Sequence, residues 1–348
     1  MPSDEPPVSR QYLPNMSGDY SQISDTARAV NRLMLPRILS CLESMKPLIA
    51  SMPAGAPFVI ADYGAADGAN SSEVFTGIIE FVRAIHPSRA IRLVYIDIAD
   101  PAPFHRFWER SHLAALENVS TEYIQRSFYD PIPELRGRVH LGFSSTAMHW
   151  MDTRTEDATF FQHPTCIQPN QIPGPERQKF AEKWKNDWRR FFDERSRELA
   201  DGGALFLANL TDLGQDRWPA SAGYNNLRDS CCSLCREGYI SAEELNAIFI
   251  PSYFAAPDTV RDLLGEDGIR QHFSTLFFEA MTAPCAYFTR MQDRLDDIPE
   301  RRRLAFTLAH SVRAWSESSL RVGLSAEHRE VVDLIYQRLE DAFFATPT

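Results

Sequence analysis

The chain has 348 residues, of which 44% are hydrophobic and 24% are charged, and its formal net charge is −11. The apolar fraction excludes a disordered protein, and the length favours one large domain or one domain with an insertion. The acidic balance argues against a nucleic-acid-binding surface, which needs clustered cations. No segment has the roughly 20 consecutive apolar residues of a membrane span.

The N-terminal residues 1–18 are polar and proline-rich, which predicts a flexible arm. They lack the basic and then apolar order of a signal peptide. Six cysteines are too few for a disulfide scaffold in so long a chain. We therefore expect a soluble, cytoplasmic protein with reduced thiols and with neither nucleic-acid nor membrane partners.

Hydrophobic periodicity predicts alternating helices and strands through the first 210 residues. The first helix is expected over residues 25–50, with Pro36 inside it. The following elements are, in order, strand 58–62, helix 71–86, strand 91–97, helix 104–116, strand 120–125, strand 139–145, helix 176–200 and strand 202–210. This order indicates βαβ units, an α/β fold and a mostly parallel sheet.

The last third of the chain departs from this alternation. Late strands are expected at residues 273–280 and 285–291, followed by helices at 301–315 and 326–344. Residues 216–268 contain short helical segments instead. We interpret them as an α-helical cap inserted into a core of residues 19–215 and 269–348. Such a cap would cover the carboxyl end of the sheet, where open α/β proteins bind ligands.

The turn after the first strand, IADYGAADGAN, carries the first candidate site. Asp62 ends the strand, and Gly64 and Gly68 permit a tight turn. The spacing fits neither a dinucleotide fingerprint nor a P-loop, and the carboxylate would attract an amino group rather than a phosphate. Asp97, at the end of the next strand, suits a ribose diol; the alternative is that it caps the following helix. An amino group and a ribose without phosphate describe S-adenosylmethionine (SAM).

Longer motifs resemble the SABATH family of SAM-dependent carboxyl methyltransferases, which includes salicylate, benzoate and jasmonate methyltransferases. The resemblance covers nearly the whole chain. It rests on MSGDYSQIS, IADYGAADGAN, LVYIDIAD, RSFYDPI, GFSSTAMHWM, LCREGYISAEELNAIFIPSYFAAPDTV and VRAWSESSL. It implies a Rossmann-like class I methyltransferase core with a seven-stranded sheet, an α-helical cap, SAM as methyl donor, S-adenosylhomocysteine (SAH) as product, and a homodimer.

The resemblance also implies roles for individual residues. The residues expected around SAM are Tyr20, Ser24, Asp62, Gly64, Ala65, Asn70, Asp97, Ile98, Ser127, Phe128 and Ser144. The residues expected at the methyl acceptor are Gln22, Thr146, His149 and Trp150. Within these sets, Asp97 would hold the ribose, and Ser127 and Phe128 would enclose the adenine.

His149 and Trp150 are the predicted catalytic pair, because in the family such a pair holds the substrate carboxylate through ring N–H groups. A carboxylic acid is already ionised at pH 7, so its methylation needs desolvation and orientation rather than a general base. The sequence therefore predicts direct methyl transfer to a small aromatic or unsaturated acid, with one or two carboxyl groups. The alternatives are N-methylation, phenol O-methylation and a non-catalytic SAM-binding relative.

Three departures from the family pattern concern the acceptor side. Ala27 replaces a Gln that touches the substrate carboxylate in the family, and Gln22 or Arg28 are candidates to substitute for it. Thr146 replaces a Tyr, which predicts a wider pocket. Asn246 replaces the Asp of a magnesium motif, so we expect no functional metal. The cap residues that would face the acceptor, or else form a surface loop, are Arg217, Trp218, Tyr224, Asn225 and Asn226.

Overall fold

The structure, a computed structural model, describes residues 25–214 and 218–346. Its sheet contains β1 (Phe58–Tyr63), β2 (Ile91–Asp97), β3 (Val119–Gln125), β4 (Val139–Ser145) and β5 (Leu199–Ala208). The strands lie in the order β3-β2-β1-β4-β5, and every neighbouring pair is parallel. The direction of winding reverses between β1 and β4. In folds of this type, the crevice beyond the carboxyl ends of such strands is the ligand site.

The helices before β5 connect the strands and cover both faces of the sheet. They are α1 (Asp25–Leu42), α2 (Lys46–Ser51), α3 (Ser72–Ile85), α4 (Pro101–Trp108) and α5 (Gln178–Glu198). The helices after β5 are α6 (Ser221–Arg236), α7 (Ala242–Ala247), α8 (Pro257–Leu264), α9 (Asp267–Arg270), α10 (Ala286–Met291), α11 (Ile298–Gly323) and α12 (Val331–Ala345). Among the described helices, none combines the length and apolarity that crossing a bilayer requires.

Every residue of β1 is buried, because apolar clusters cover the sheet on both faces. Ile60 packs in one cluster with α3, which is amphipathic and buries Phe75 and Ile78. Val59 packs in the opposite cluster, which contains Trp184 of α5. Alternation along the strand thus explains why this apolar run forms a central strand.

A third apolar cluster lies among the helices that follow β5. It joins α6, α7, α11 and α12 through residues such as Leu227, Leu308 and Leu339, and it also includes Trp150. The helical layer therefore packs directly against a predicted catalytic residue. The proposed division into core and cap stays a prediction, although α11 and α12 share their packing with the expected cap helices.

The late part of the sheet differs from the prediction, since the described residues form five strands rather than seven. Residues 273–285 have no regular secondary structure, and α10 occupies most of the second expected strand. The first segment breaks strand alternation with the run Leu276, Phe277 and Phe278, and Leu276 is 68% exposed. Pro284 lacks the N–H that a central strand donates. Both predicted late strands were therefore wrong.

The remaining predicted elements are confirmed, with shifted ends. The helix expected at 104–116 is divided: α4 ends at Trp108, and a 3-10 turn, His112–Ala115, follows after Ser111, whose side chain accepts from the Leu113 N–H. Pro36 lies inside α1 without ending it. The α/β fold with a parallel sheet is confirmed.

Candidate active site

A pocket lies at the carboxyl ends of β1 and β4, where the winding of the sheet reverses. It is a partly open crevice in contact with solvent. Its lining residues are Ala27, Asn31, Asp62, Gly64, Ala65, Ala66, Asn70, Ser71, Phe143, Ser145 and Thr146. Five predicted site residues thus share this pocket with Ala27, where the sequence resemblance leads one to expect a Gln.

Gly64 brings the turn after β1 close to the segment that follows β4. Its φ is +86°, and a Cβ at this position would lie 2.4 Å from the Cβ of Ala147. The ring of Phe128 is the next neighbour, at 3.2 Å. Any side chain here would be both strained and obstructed, so glycine is required for the pocket to keep its shape.

Asp62 is a buried carboxylate on the pocket wall, and it forms no ion pair with a described residue. Burial raises its pKa to about 7, and the negative charge of Asp97 acts in the same direction, whereas a hydrogen bond from Ser71 opposes them. An uncompensated buried carboxylate is costly, and a bound cation would remove that cost. The site therefore suits a ligand that carries an ammonium group.

Asp97 supports the same turn from behind the pocket. Its two carboxylate oxygens accept hydrogen bonds from the backbone N–H groups of Ala66, at 2.7 Å, and Ala99, at 2.9 Å. Each oxygen keeps a lone pair for a further donor, such as a ribose hydroxyl. The alternative of a helix cap is wrong, because Asp100 caps α4 by accepting from Ala102.

Phe128 and Ser127 lie on the loop after β3, close to the turn at Gly64. The Ser127 hydroxyl accepts from the Tyr129 N–H at 3.2 Å, and the Phe128 carbonyl accepts from Arg195. Arg195 is fully buried and also pairs with Glu198 at 2.6 Å. This buried ion pair holds the loop against the pocket.

The second part of the site contains His149 and Trp150, which follow β4 and are both buried. Neighbouring segments fix their backbone: the His149 carbonyl accepts from the Tyr253 N–H, and the Trp150 carbonyl accepts from the Tyr129 hydroxyl, both at 2.8 Å. Unlike these backbone carbonyls, two ring nitrogens have no hydrogen-bond partner among the described residues. They are His149 Nδ1 and Trp150 Nε1, and both are buried. Two such neighbouring atoms indicate a ligand that supplies the partners.

His149 is uncharged at neutral pH. Burial lowers its pKa to about 4, and only a hydrogen bond between its imidazole and the side chain of Asn209 acts in the opposite direction. A neutral imidazole has one N–H donor, and the indole of Trp150 is a donor only. The pair can therefore hold an anion by hydrogen bonds without a formal positive charge.

Aromatic rings surround this pair on the side of the helical layer. Phe254 lies 5.4 Å from His149 and 5.8 Å from Trp218, measured between ring centroids. Tyr224 continues the cluster at 5.2 Å from Trp218 and 4.7 Å from Trp315. We call these four rings, Phe254, Trp218, Tyr224 and Trp315, the aromatic wall. Its apolar character fits a flat, hydrophobic acceptor better than a polar one.

An ion-pair network anchors the chain just after Trp150. Arg154 binds Asp130 through two hydrogen bonds of 2.6 and 2.9 Å, and it also binds the buried Asp152. Burial alone would raise the pKa of Asp152, but Arg154 and Arg190 outweigh it and lower that pKa. The Asp152 N–H donates to Asp187 of α5 at 3.0 Å. The predicted catalytic pair is thus attached to a rigid support.

Residues 104–345 match the family described as SAM dependent carboxyl methyltransferase. The chain belongs to this family. Methyltransferase FUS9 of Gibberella fujikuroi is 24% identical over 67% of this chain and 63% of its own length. Probable jasmonic acid carboxyl methyltransferase 1 of Theobroma cacao is 23% identical over 60% and 61%. The chain thus spans less than two thirds of these relatives.

A solved structure, loganic acid methyltransferase with SAH, covers 95% of this chain with a TM-score of 0.74 and 18% identity, and the match covers 92% of that structure. This likeness shows the class I methyltransferase fold. Family membership makes SAM the methyl donor. The glycine turn and the buried Asp62, which has no ion-pair partner among the described residues, fit that cofactor, because SAM carries an ammonium group and has no phosphate.

Several predicted residues of the methyltransferase do not line the cofactor pocket. Ser144 is buried, and its hydroxyl donates to the Tyr63 carbonyl at 2.7 Å. Four more predicted cofactor residues are not part of the lining and lie next to it: Asp97, Ile98, Ser127 and Phe128. Tyr20, Gln22, Ser24 and Arg217 fall outside the described residues, so their expected roles stay predictions.

Sequence reasoning missed Ser145 and Asn31, which both line the pocket. Alternation along β4 puts the side chains of Ser144 and Ser145 on opposite faces, and this period-two pattern was the signal for Ser145. Asn31 donates to the Asn70 carbonyl at 2.7 Å from α1. Nothing in the local sequence marks that contact, because it joins segments far apart in the chain.

The cap residues of the methyltransferase separate into two groups. Trp218 and Tyr224 belong to the aromatic wall, whereas Asn225 accepts a hydrogen bond from Gln171 at 3.1 Å and lies on α6. The alternative of a surface loop is wrong for residues 221–236, which form that helix. No group of three His, Cys, Asp or Glu side chains in the described ranges could hold a metal ion. The absence of a functional metal stays a prediction.

Proposed function

We propose that this methyltransferase forms the methyl ester of a small carboxylic acid with an aromatic or unsaturated body and one or two carboxyl groups. The observation that carries the proposal is a pair of buried nitrogens, His149 Nδ1 and Trp150 Nε1, for which the described part of the chain supplies no hydrogen-bond partner. Two neighbouring nitrogens next to an apolar wall match a carboxylate attached to a flat body. One carboxylate oxygen would be held there, and the other would face the methyl group.

The neutral state of His149 suits this reaction. Methyl transfer from a sulfonium to a carboxylate removes one positive and one negative charge, so the transition state is less polar than the reactants. A pocket of low polarity that excludes water favours such a change. A charged imidazolium would bind the carboxylate more tightly before the reaction than in the transition state, which would not help turnover.

The cofactor contacts are part of the same proposal. SAM supplies the methyl group when bound. Asp62 would bind its ammonium group, Asp97 its ribose, and Phe128 would cover the adenine. We also propose that Tyr20, Ser24 and Ser144 belong to this side of the site, and that Gln22 and Thr146 contribute to the acceptor side.

Two properties of the whole protein complete the proposal. We propose a cytoplasmic homodimer, as the sequence resemblance implies. Light scattering on the purified protein at several concentrations measures the mass in solution, and a monomer at every concentration would remove the dimer from the proposal. Its removal would leave the proposed reaction unaffected.

Methyl transfer from radiolabelled SAM to a panel of acids, phenols and amines tests the proposed reaction. A methyl ester releases labelled methanol in mild base, whereas aryl methyl ethers and N-methyl products do not. We expect base-labile product from acids that carry an aromatic or unsaturated group. Base-stable product only would favour phenol O-methylation or N-methylation, and SAM binding without any product would favour a non-catalytic relative.

A further inference from the structure

Asn31 is a buried polar side chain on a helix face that is otherwise apolar. The buried residues of α1 are Ala27, Asn31, Ile38 and Leu42, and Asn31 is only 3% exposed. Asn31 lies one turn after Ala27 on the same face of the helix, and both residues line the pocket together with Asp62. A buried amide costs free energy unless its polar atoms are paired, so an asparagine at this position needs an explanation.

One hydrogen bond fixes the orientation of this amide. Asn31 Nδ2 donates to the backbone carbonyl of Asn70 at 2.7 Å. A backbone carbonyl only accepts hydrogen bonds, so the nitrogen of the Asn31 amide faces it and the amide oxygen points away from it. That oxygen, Asn31 Oδ1, is buried without a hydrogen-bond partner among the described residues. The group that Asn31 offers to a ligand is therefore an acceptor.

Two further acceptors belong to the same pocket. Asn70 lines it, and Asn70 Oδ1 is likewise buried with no partner in the described part of the chain. Asp62 adds a buried carboxylate. An anionic group cannot pair with these oxygens, because it has no N–H or O–H to donate. An ammonium group has three N–H donors and a positive charge, and hydrogen bonds from a charged donor are the stronger ones.

We infer that Asn31 is a ligand of the ammonium group of SAM, and that its amide oxygen completes a three-acceptor site with Asp62 and Asn70. This inference rests on the part of the proposed function that assigns the ammonium group to Asp62. Each of the three residues accepts one N–H, and Asp62 supplies the opposite charge. The Asn31 nitrogen stays on the Asn70 carbonyl, so α1 and the segment after β1 hold the ammonium group from two sides.

Binding of three ligands to the full-length protein, measured by competition calorimetry, tests this inference. SAH has both charged groups of the amino-acid end. Decarboxylated SAH keeps the ammonium group without the carboxylate, and deaminated SAH keeps the carboxylate without the ammonium group. A residue that binds the ammonium group must affect the first two ligands and spare the third.

Asn31→Leu removes the acceptor and keeps a branched side chain of similar length. We expect the dissociation constants of SAH and of decarboxylated SAH to rise about 10- to 100-fold, because a hydrogen bond to a charged group is lost. The dissociation constant of deaminated SAH should change less than about twofold.

Asn31→Asp distinguishes the lost acceptor from the lost N–H. Both substitutions remove the amide N–H that donates to the Asn70 carbonyl, but aspartate keeps an acceptor oxygen. We therefore expect Asn31→Asp to bind the two ammonium ligands about tenfold more tightly than Asn31→Leu does. Asn246→Leu is the matched control, since Asn246 lies on α7 and its side chain donates to Gln162 at 3.3 Å. Its affinity for all three ligands should stay within about twofold of the wild-type value.

The outcomes separate this inference from the proposed function. If Asn31→Leu binds SAH and decarboxylated SAH as tightly as the wild-type protein does, Asn31 is not a ligand. Equal losses for all three ligands in both Asn31 variants would assign Asn31 to the shape of the pocket, and this result also overturns the inference. Neither result affects ester formation, which the radiolabelled transfer assay measures independently.

Asp62→Asn, measured with the same three ligands, tests the assignment on which the inference rests. A loss confined to the two ammonium ligands in Asp62→Asn, without one in Asn31→Leu, would keep the role of Asp62 and remove only that of Asn31. If neither variant distinguishes the ammonium ligands from deaminated SAH, the proposed ammonium contact fails, and the inference fails with it.

Discussion

The cofactor pocket and the proposed acceptor site around His149 and Trp150 lie at the same edge of the sheet, but their electrostatics are opposite. The cofactor pocket has a buried carboxylate, Asp62, with no described cation beside it. The acceptor site has a neutral His149, the Trp150 indole and the aromatic wall. No described residue forms a hydrogen bond with His149 Nδ1 or Trp150 Nε1. Negative charge is therefore placed where a cationic donor binds, and neutral donors are placed where an anion is expected.

The difference also explains how an acidic protein can bind an acid. A net charge of −11 gives no general attraction for an anionic acceptor. Local hydrogen-bond donors must capture the carboxylate, and the positive charge of a bound sulfonium is the nearest partner for it. We therefore expect SAM to raise the affinity for the acid more than SAH does, because SAH lacks the sulfonium charge. The coupling is reciprocal, so the acid should raise the affinity for SAM by the same factor.

The largest effect on ligand binding is expected at the turn of the cofactor pocket. Gly64→Ala places a methyl group 2.4 Å from the Cβ of Ala147 at a φ of +86°. We expect SAH affinity, measured by calorimetry, to fall by at least about 100-fold, which corresponds to about 2.7 kcal/mol. Gly55→Ala is the control, because its φ is +89° and a Cβ there meets no atom within 4 Å. If both variants bind SAH equally well, the close approach at Gly64 does not shape the pocket.

The next prediction concerns the buried ion pair between Arg195 and Glu198, which supports the loop next to both regions. Arg195→Met removes a fully buried guanidinium that pairs with Glu198 and binds the carbonyls of Phe128 and Asp130. The uncompensated Glu198 should lower the free energy of unfolding by about 3–5 kcal/mol in urea denaturation. Arg197→Met on the same helix is the control, since Arg197 is 48% exposed. Its ion pairs are screened by solvent, so the free energy of unfolding of Arg197→Met should stay close to the wild-type value.

The acceptor site is tested by changes that spare the cofactor pocket. Trp150→Phe keeps an aromatic ring but removes the indole N–H, and His149→Phe removes the imidazole nitrogens. Hydrogen bonds to a charged group contribute about 1.5–3 kcal/mol, so we expect kcat/KM for the acid to fall about 10- to 100-fold in each variant. SAH affinity should stay within about threefold. An equal decrease in both quantities would show that the two regions are not separate sites.

The two regions also differ in how far the sequence predicts them. Asp62 and Asp97 lie at the ends of strands with clear apolar patterns, and Gly64 follows the first of these strands, so local sequence predicted a site at this sheet edge. Asp62 and Gly64 do line the pocket there, and their roles toward the cofactor stay predictions. Ser145 and Asn209 come together only through the register of β4 and β5, which no local motif reports. Burial of His149, which makes it neutral, likewise depends on residues distant in the chain, such as Phe254.

The wrong late strands have a related cause. A run of apolar residues at 276–278 suggests a strand, but its burial requires a partner surface that pattern alone does not supply. In the structure this segment remains exposed, with Leu276 68% and Phe277 51% accessible. Tyr287, in the second expected strand, lies on helix α10 instead. Its side chain is buried in the apolar cluster of the helical layer.

The smallest predicted effect is a pH dependence that distinguishes the two regions. Burial raises the pKa of Asp62 to about 7 in the unliganded protein, and a bound ammonium group favours the ionised carboxylate. Protonation therefore competes with the cofactor, so SAH should bind about tenfold more weakly at pH 6 than at pH 8.

His149, with a pKa of about 4, does not titrate in this range, so the acceptor site should contribute no such change. Asp187 of α5 has a pKa raised to about 6 by burial and titrates in the same window. The Asp62→Asn variant distinguishes the contribution of Asp62 from that of Asp187. At pH 8 it should bind SAH more weakly than the wild-type protein does, and its SAH affinity should be nearly independent of pH. If the pH dependence survives in Asp62→Asn, another group such as Asp187 controls it, and the unpaired carboxylate is not the binding site of the ammonium group.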